Sequence, residues 1–142
     1  MARVNLVKPV FLADQHLVAE YDEILMILAY VKKFPETEGI PETYRLGAGH
    51  IKFFKNKLVY LKKRHCSLKN EMKSRGFHAR KTVSLKAFPK HLCHDWKPNA
   101  KNIETIRKRL IEKIKAKPGF YRYYRENKGQ RFLLKLCKSA TA

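Results

Sequence analysis

The stretch that decides the fold is Asp14-Gln-His-Leu-Val-Ala-Glu-Tyr-Asp-Glu-Ile-Leu-Met-Ile-Leu-Ala-Tyr-Val-Lys-Lys33. Its apolar residues recur every three or four positions, which is the spacing of one face of an α-helix. Asp14 is a residue type that caps helix N-termini, and Pro35 follows soon after Lys33, so we expect a helix from Asp14 to Lys33. The side chains that we expect to face the core are Leu17, Tyr21, Ile24, Leu28 and Val31.

Two further segments show the same periodicity. One predicts a helix over about residues 55–75, ended by Gly76 as the first residue beyond the helix. The other predicts a helix over about residues 100–117, with Asn99 as its cap and Pro118 as its stop. No segment shows a convincing strand pattern. The sequence therefore predicts an all-α fold, a compact single domain of three main helices with long connecting loops.

Length and charge limit the class of protein further. A chain of 142 residues has the size of one domain, so we treat residues 1–142 as a single helical domain, with about 125–142 as a basic C-terminal extension. The 32 Lys and Arg residues against 12 Asp and Glu give a formal net charge of +20. Such an excess predicts a polyanionic partner, most simply DNA or RNA.

The location of the protein is indicated by what the sequence lacks. No apolar run approaches the roughly 20 residues that span a bilayer, and no signal-peptide pattern is visible at the N-terminus. The three cysteines are widely spaced and odd in number, which is typical of a reducing compartment rather than of a disulfide framework. We expect an intracellular protein, in the cytoplasm, nucleoid or nucleus, without a membrane partner.

The N-terminus offers a possible nucleophile. Ala2 is small enough for Met1 to be removed, and the α-amine that remains has an ordinary pKa of about 8, which the Arg3 cation lowers. Such an amine can attack an electrophilic carbon and form a Schiff base. Glu23 is a candidate for the accompanying proton transfer, although Glu20 and Asp22 serve equally well on the residues alone. Most proteins that begin Met-Ala make no such use of the amine.

Several separated blocks carry a resemblance to a known family. They are Arg3-Val-Asn-Leu6, Ala13 to Glu23, Leu46-Gly-Ala-Gly-His-Ile-Lys-Phe-Phe-Lys-Asn-Lys-Leu58, Leu61-Lys-Lys-Arg64 and Lys117-Pro-Gly-Phe-Tyr-Arg-Tyr-Tyr124. In order and approximate spacing, from residue 2 to about residue 124, the chain resembles the endonuclease V type of pyrimidine-dimer DNA glycosylase, typified by the bacteriophage enzyme. Residues of about 80–100 and the last part of the chain are less clearly covered.

The resemblance implies a small all-α enzyme that excises a damaged base and then nicks the backbone at the abasic site. Ala2 stands where the family has its nucleophilic residue, usually Thr. Glu23 aligns with the essential carboxylate, which stabilises the sugar cation and assists β-elimination. The resemblance implies damaged double-stranded DNA as the partner and neither a metal nor another cofactor. We expect a monomer without an obligatory protein partner.

The resemblance also suggests residues that bind DNA or support the active site. His16 would lie near the phosphate and sugar, and Arg109 aligns with a phosphate-binding arginine. Glycines of the Gly47–Gly49 turn would let backbone amides approach a phosphate. For each of these an ordinary structural role is an equal alternative, and the aromatic rings of residues 120–124 could either stack on a flipped base or pack over the core. The full set is Arg3, Gln15, His16, Glu20, Gly47, Gly49, His50, Lys52, Arg64, Arg109, Tyr121, Arg122 and Tyr123.

The first helix departs from the family pattern at two positions. Where the family typically has Arg-Glu-Leu-Pro-Arg, this chain has Asp22-Glu23-Ile24-Leu25-Met26. Asp22 and Met26 thus replace two arginines that contact the lesion and its phosphates, and a carboxylate near DNA repels it. We therefore predict a substrate that is either a pyrimidine dimer or a related lesion. The alternative is a non-catalytic, basic DNA- or RNA-binding protein that retains the fold.

Overall fold

The computed structural model describes residues 3–142, and every regular element in this range is helical. Three long helices dominate, as predicted, and two shorter ones accompany them. In chain order they are α1 (Asp14–Lys33), α2 (His50–Phe53), α3 (Leu58–Ser74), α4 (Ala100–Ala116) and α5 (Gln130–Ser139), with 3-10 turns at Pro9–Phe11, Phe54–Asn56 and Lys90–Leu92. None of the helices within residues 3–142 is long and apolar enough to cross a membrane. The all-α prediction is confirmed.

Helix α1 has the predicted bounds, and its five predicted core residues are all buried. The prediction that Asp14 caps it was wrong, because the cap position is Ala13 and carries no capping side chain. The Asp14 carboxylate instead accepts hydrogen bonds from the backbone N–H groups of Tyr124, at 3.1 Å, and Arg125, at 2.7 Å. Both of those residues have positive φ angles, 50° and 67°, so Asp14 stabilises a left-handed turn more than 100 residues away.

Helix α3 starts three residues later than predicted, because a 3-10 turn occupies the residues before it and Lys57 breaks the helical conformation. Its end is as predicted. Gly76 has a φ of 85°, and Phe77 N–H donates to the Met72 carbonyl at 2.9 Å, which is the hydrogen bond of a glycine-ended helix. Helices α1 and α3 pack against each other, and the rings of Tyr21 and His65 stack between them with centroids 4.5 Å apart.

Helix α4 is capped as predicted. The Asn99 side-chain oxygen accepts from the Asn102 N–H, and the Asn102 side-chain oxygen accepts from the Asn99 N–H. The basic C-terminal segment, to which the sequence assigned no structure, forms α5 and packs on α4. Leu133 and Cys137 are buried there, and the Arg107 Nε donates to the Ala140 carbonyl at 2.8 Å. The C-terminal extension thus docks on its own domain.

Candidate active site

The residues that precede α1 are held by hydrogen bonds from several distant parts of the chain. We call residues 3–7 the N-terminal segment. The Arg3 Nε donates to the Leu46 carbonyl at 2.6 Å, and the Tyr44 hydroxyl donates to the Val4 carbonyl at 3.0 Å. The Val4 N–H in turn donates to His50 Nε2 at 3.2 Å. The course of the chain at Arg3 is therefore fixed by the loop and helix around residues 44–50.

The second half of the N-terminal segment is fixed from α1, α3 and α4. Asn5 donates its N–H to Glu20 Oε1 at 3.0 Å and accepts from Arg109 Nη1 at 3.3 Å through its side-chain oxygen. Arg64 Nη1 donates to the Val7 carbonyl. Because Asn5 and Val7 are buried, each of these hydrogen bonds lies where water would not replace it.

Glu20 and Arg64 form a buried ion pair that supports this arrangement. Arg64 Nε lies 2.6 Å from Glu20 Oε2, and Arg64 Nη2 lies 3.0 Å from Oε1. The side chain of Glu20 is fully buried and that of Arg64 is 6 % exposed. Arg64, one of the residues expected to bind DNA or support the active site, has its guanidinium in the core, where it holds Glu20 and the N-terminal segment together.

His50 is also a structural support. Its Nδ1 lies 2.8 Å from the Arg45 carbonyl and its Nε2 accepts from Val4, so the ring is neutral with the proton on Nδ1. Burial lowers the pKa of His50 to about 4, which agrees with this neutral state. Gly49, before it, has a φ of 91°. Residues with a Cβ rarely adopt this backbone conformation. Gly47 and Lys52 lie exposed nearby.

Glu23 lies on α1 close to Arg3. It is 6 % exposed, and its carboxylate accepts no hydrogen bond from residues 3–142. Burial raises the pKa of Glu23 above its usual range, against the opposing effect of the Arg3 cation. A carboxyl group in this state is a stronger base than an ordinary glutamate, which suits it to proton transfer. Ala2, the predicted nucleophile, lies outside the described residues.

Beside Arg3 there is a basic cavity of about 320 Å³, which we call the α1/α4 cavity. Its walls come from the N-terminal segment, α1, α4 and the loop that follows α4. The lining residues are Arg3, Asn5, Gln15, His16, Ala19, Arg109, Lys113, Ala116, Lys117, Phe120 and Tyr121. A neighbouring depression shares Arg3, Arg109 and Lys113 with it. Positive charge thus surrounds a pocket that opens next to the N-terminal segment.

Inside this cavity the ring of His16 packs against that of Tyr121, with centroids 4.6 Å apart. Burial, together with the Arg109 and Lys113 cations, lowers the pKa of His16 to about 4. His16 is therefore neutral at neutral pH and acts as a hydrogen-bonding group rather than as a cation.

Gln15 positions the aromatic side of the cavity. Its Nε2 donates to the Phe120 carbonyl at 2.8 Å, and its Oε1 accepts from the Arg122 N–H at 3.0 Å. The two hydrogen bonds attach the loop after α4 to α1 and leave Tyr121 between them, facing His16. The side chain of Arg122 is exposed.

Tyr123 lies elsewhere. Its hydroxyl donates to the Val10 carbonyl at 2.9 Å, and its ring lies 4.6 Å from the guanidinium carbon of the buried Arg75. The expectation that Tyr123 contacts DNA is not supported by this position, because the ring packs in a structural cluster. Tyr121 and Phe120 are the two rings of this segment that reach the cavity.

The structure thus brings together Arg3, Gln15, His16, Arg109 and Tyr121 around one cavity, with Glu23 beside Arg3. It places Glu20, His50 and Arg64 behind that cavity in the core. Sequence reasoning missed Asn5, which links Glu20 to Arg109, and Lys113, which lies one helical turn after Arg109. The sequence offered a signal for both residues. Asn5 lies inside the first block that carries the family resemblance, and Lys113 is four residues after Arg109, which places the two on one helix face.

A family model described as pyrimidine dimer DNA glycosylase matches residues 1–97. The match covers more than half of the chain and includes the N-terminal segment, Glu23 and the buried pair behind them. The chain belongs to the pyrimidine dimer DNA glycosylase family. Membership of this family of DNA glycosylases indicates DNA as the substrate. Arg109 and Tyr121 lie beyond the matched residues, yet they complete the cavity that the glycosylase-like part begins.

The resemblance implied that two residues of α1, Asp22 and Met26, replace arginines of the family pattern. Both are exposed, Met26 by 65 %, and their spacing of four places them on one face of the helix.

Proposed function

We propose that the protein excises pyrimidine dimers, or a closely related lesion, through the α-amine of Ala2 after removal of Met1, and that it then nicks the DNA by β-elimination. The observation that carries the proposal is the fixed position of Arg3 beside the buried Glu23. Consecutive Cα atoms are about 3.8 Å apart, so an amine on residue 2 is one peptide unit from this position.

The reaction that this arrangement supports has two stages. The lone pair of the amine attacks C1′ of the damaged nucleotide, and the bond from C1′ to the base breaks with its electrons leaving on the base. Opening of the sugar ring then gives a protonated Schiff base. Removal of a proton from C2′ forms a C2′–C3′ double bond and expels the 3′ phosphate, and hydrolysis of the imine returns the amine.

Glu23 has two roles in this scheme. As a carboxylate it stabilises the positive charge that develops at C1′, and as a base it accepts the C2′ proton. The raised pKa of Glu23 favours the second role, because it brings the basicity of the carboxylate closer to the operating pH.

The α1/α4 cavity supplies the binding groups. Arg3, Arg109 and Lys113 provide positive charge for the phosphates that flank the extruded nucleotide, and neutral His16 provides a hydrogen bond without adding charge. Tyr121 offers a ring edge against which a sugar or base can pack. The net charge of +20 supports salt-sensitive scanning of undamaged duplex.

The test is borohydride trapping with tag-free protein whose N-terminal mass shows Ala2 unblocked. Wild type, Glu23→Gln and a control variant, Glu38→Gln, are each incubated with three duplexes: one with a cyclobutane thymine dimer, one with an abasic site and one undamaged. We expect adducts with the first two for wild type and for Glu38→Gln, since Glu38 is exposed in the loop after α1. Glu23→Gln should still bind and lose nicking by at least about 100-fold.

Nicking by Glu23→Gln at the wild-type rate would overturn the role of Glu23. An adduct with the abasic duplex alone would identify a lyase that requires another lesion than the dimer. The exposed pair Asp22 and Met26 favours the second candidate function, that of a non-catalytic DNA-binding protein. Tight binding with no adduct on either damaged duplex would select that function.

A further inference from the structure

A second basic cavity lies on α3 and shares no residue with the α1/α4 cavity. It has a volume of about 280 Å³ and is covered on one side by residues 82 and 83. Its lining residues are Lys62, His65, Cys66, Lys69, Asn70, Lys73, Thr82 and Val83. We call it the α3 cavity, and neither the family match nor the proposed chemistry assigns it a role.

The first notable property of the α3 cavity is the set of three lysines that line it. Lys62, Lys69 and Lys73 are separated by seven and four residues, so they follow one face of α3. None of the three forms a salt bridge with any carboxylate in the described part of the chain. Three ammonium groups around one concave surface repel one another, and an anion between them relieves that repulsion.

The second property is a polar atom without a partner. His65 is 1 % exposed, and its Nε2 has no hydrogen-bond partner among residues 3–142. Its ring is held against Tyr21 by stacking while it forms part of the cavity wall. Burial and the Lys69 cation lower the pKa of His65, against the opposing effect of the Asp22 carboxylate, so both charges lie close enough to act on the ring.

We propose that the α3 cavity binds a phosphate group. A phosphate brings oxygen acceptors to a site that offers donors: the three ammonium groups and an Nε2–H of His65. The Nε2–H is present in one neutral tautomer of His65 and in its imidazolium form, so binding needs no prior protonation. The inference does not require catalysis at Glu23, and the phosphate belongs either to the DNA backbone or to a free phosphorylated molecule.

The first experiment tests the site with inorganic sulfate, which stays a dianion across the neutral pH range. The ring resonances of His65 are followed by NMR as sulfate replaces chloride at constant ionic strength. We expect a saturable shift of the His65 signals in wild type and its loss in Lys69→Gln/Lys73→Gln. The matched control is Lys101→Gln/Lys135→Gln, which removes two exposed lysines that line neither cavity and should respond like wild type.

The second experiment identifies the source of the phosphate. The affinity of the two double variants for undamaged duplex is measured over a range of salt concentrations. One lost phosphate contact reduces the slope of log K against log salt by about 0.9. If DNA is the source, Lys69→Gln/Lys73→Gln should lose about that much more slope than the control. Equal slopes together with lost sulfate binding would identify a free phosphorylated molecule.

The sulfate measurement alone decides whether the site exists. If the His65 signals do not shift saturably in wild type, or if they shift equally in Lys69→Gln/Lys73→Gln, the proposal is overturned. Since neither measurement involves damaged DNA or nicking, the outcome is separate from that of the trapping experiment.

Discussion

The side chain of Asp22 is exposed on α1, one residue before Glu23, and its carboxylate repels DNA that approaches this helix. Removing this charge weakens a repulsion, and reversing it replaces the repulsion by attraction. We predict that Asp22→Arg binds dimer-containing duplex more tightly than wild type, by roughly tenfold at low salt, with a steeper salt dependence. Binding titrations at several salt concentrations measure both quantities.

The control for this prediction is Glu38→Arg, which makes the same change of charge in an exposed loop. An equal gain in both variants would show that total charge, and not the position of Asp22, determines the affinity.

His50 links the N-terminal segment to the pH dependence of stability. The pKa of buried, neutral His50 is about 4, whereas histidine in an unfolded chain has an ordinary value near 6.5. Between these two values the unfolded state binds more protons, so the free energy of unfolding decreases as the pH falls from about 6.5 towards 4. Below the folded value the contribution of His50 has been lost entirely.

We predict that His50→Gln has a shallower slope over this window, by up to about 1.4 kcal/mol per pH unit. Urea unfolding between pH 4 and 7 measures it, with the exposed His91→Gln as a control that keeps the wild-type slope. A His50→Gln protein with an unchanged slope would contradict the assigned hydrogen bonds of His50.

At the level of single residues, the sequence contains a signal for the buried ion pair of Glu20 and Arg64. Arg64 sits three positions after Leu61 and four before Leu68, and Glu20 sits between Leu17 and Ile24 in the same way. Both polar residues therefore lie on the apolar stripes of their helices, and that spacing predicts a buried pair. The two lysines that precede Arg64 obscure this signal. Which carboxylate contacts which arginine depends on the packing of α1 on α3, and helix periodicity does not specify it.

The elements themselves were predicted wherever their signals were local. The bounds of α1, the Asn99 cap of α4 and the Gly76 end of α3 all follow from residues inside or next to the helix. The turn at Tyr124 and Arg125 has no local signal, because its left-handed conformation is stabilised by Asp14. Helix α5 lies directly beyond that turn, and its short, basic sequence gave no clear prediction.

The start of α2 provides a prediction at the same scale. At Gly49 the φ is 91°, and an added Cβ would lie 3.1 Å from side-chain carbons of Arg45 and Pro41. Gly47, two residues earlier, has ordinary φ and no atom within 4 Å of an added Cβ. We predict that Gly49→Ala lowers the free energy of unfolding by about 1–2 kcal/mol, because a left-handed residue with a Cβ is strained.

Gly47→Ala is the matched control and should be neutral or slightly stabilising in the same urea experiment. Equal effects of the two substitutions would show that the conformation at Gly49 is not required for α2 to begin. Comparing the two variants also distinguishes an effect on folding from an effect on DNA binding. A loss of DNA affinity in Gly47→Ala alone would indicate that the backbone at Gly47 contacts a phosphate.

At the scale of the whole molecule, the candidate site is assembled from parts that are far apart in sequence. Arg3, His16, Arg109 and Tyr121 meet in one cavity although more than 100 residues separate the first from the last. Charge and periodicity predicted a basic helical protein and its polyanionic partner. They did not predict which basic residues line a cavity, because that depends on how α4 and the following loop pack against α1.

The docking of α5 gives a prediction for the intact chain. Leu133, Cys137 and Ala140 are each at most 3 % exposed, and the Thr141 carbonyl accepts from the Lys8 N–H at 2.8 Å. Truncation after residue 129 should lower the free energy of unfolding by on the order of 4 kcal/mol, because this apolar surface is lost. Lys135→Gln, which keeps the helix, should unfold at the wild-type urea concentration. An unchanged midpoint in the truncated protein would contradict the docked position of α5.

The hydrogen bonds of the N-terminal segment have a consequence for the order in which the protein is built. A ribosome makes this segment before its partners Tyr44, His50, Arg64 and Arg109, and Thr141, which accepts a hydrogen bond from Lys8, follows all of them. The N-terminal segment is therefore among the last parts of the domain to form its native contacts. Until then it stays accessible to processing, and a partly synthesised chain has no assembled site with which to attack DNA.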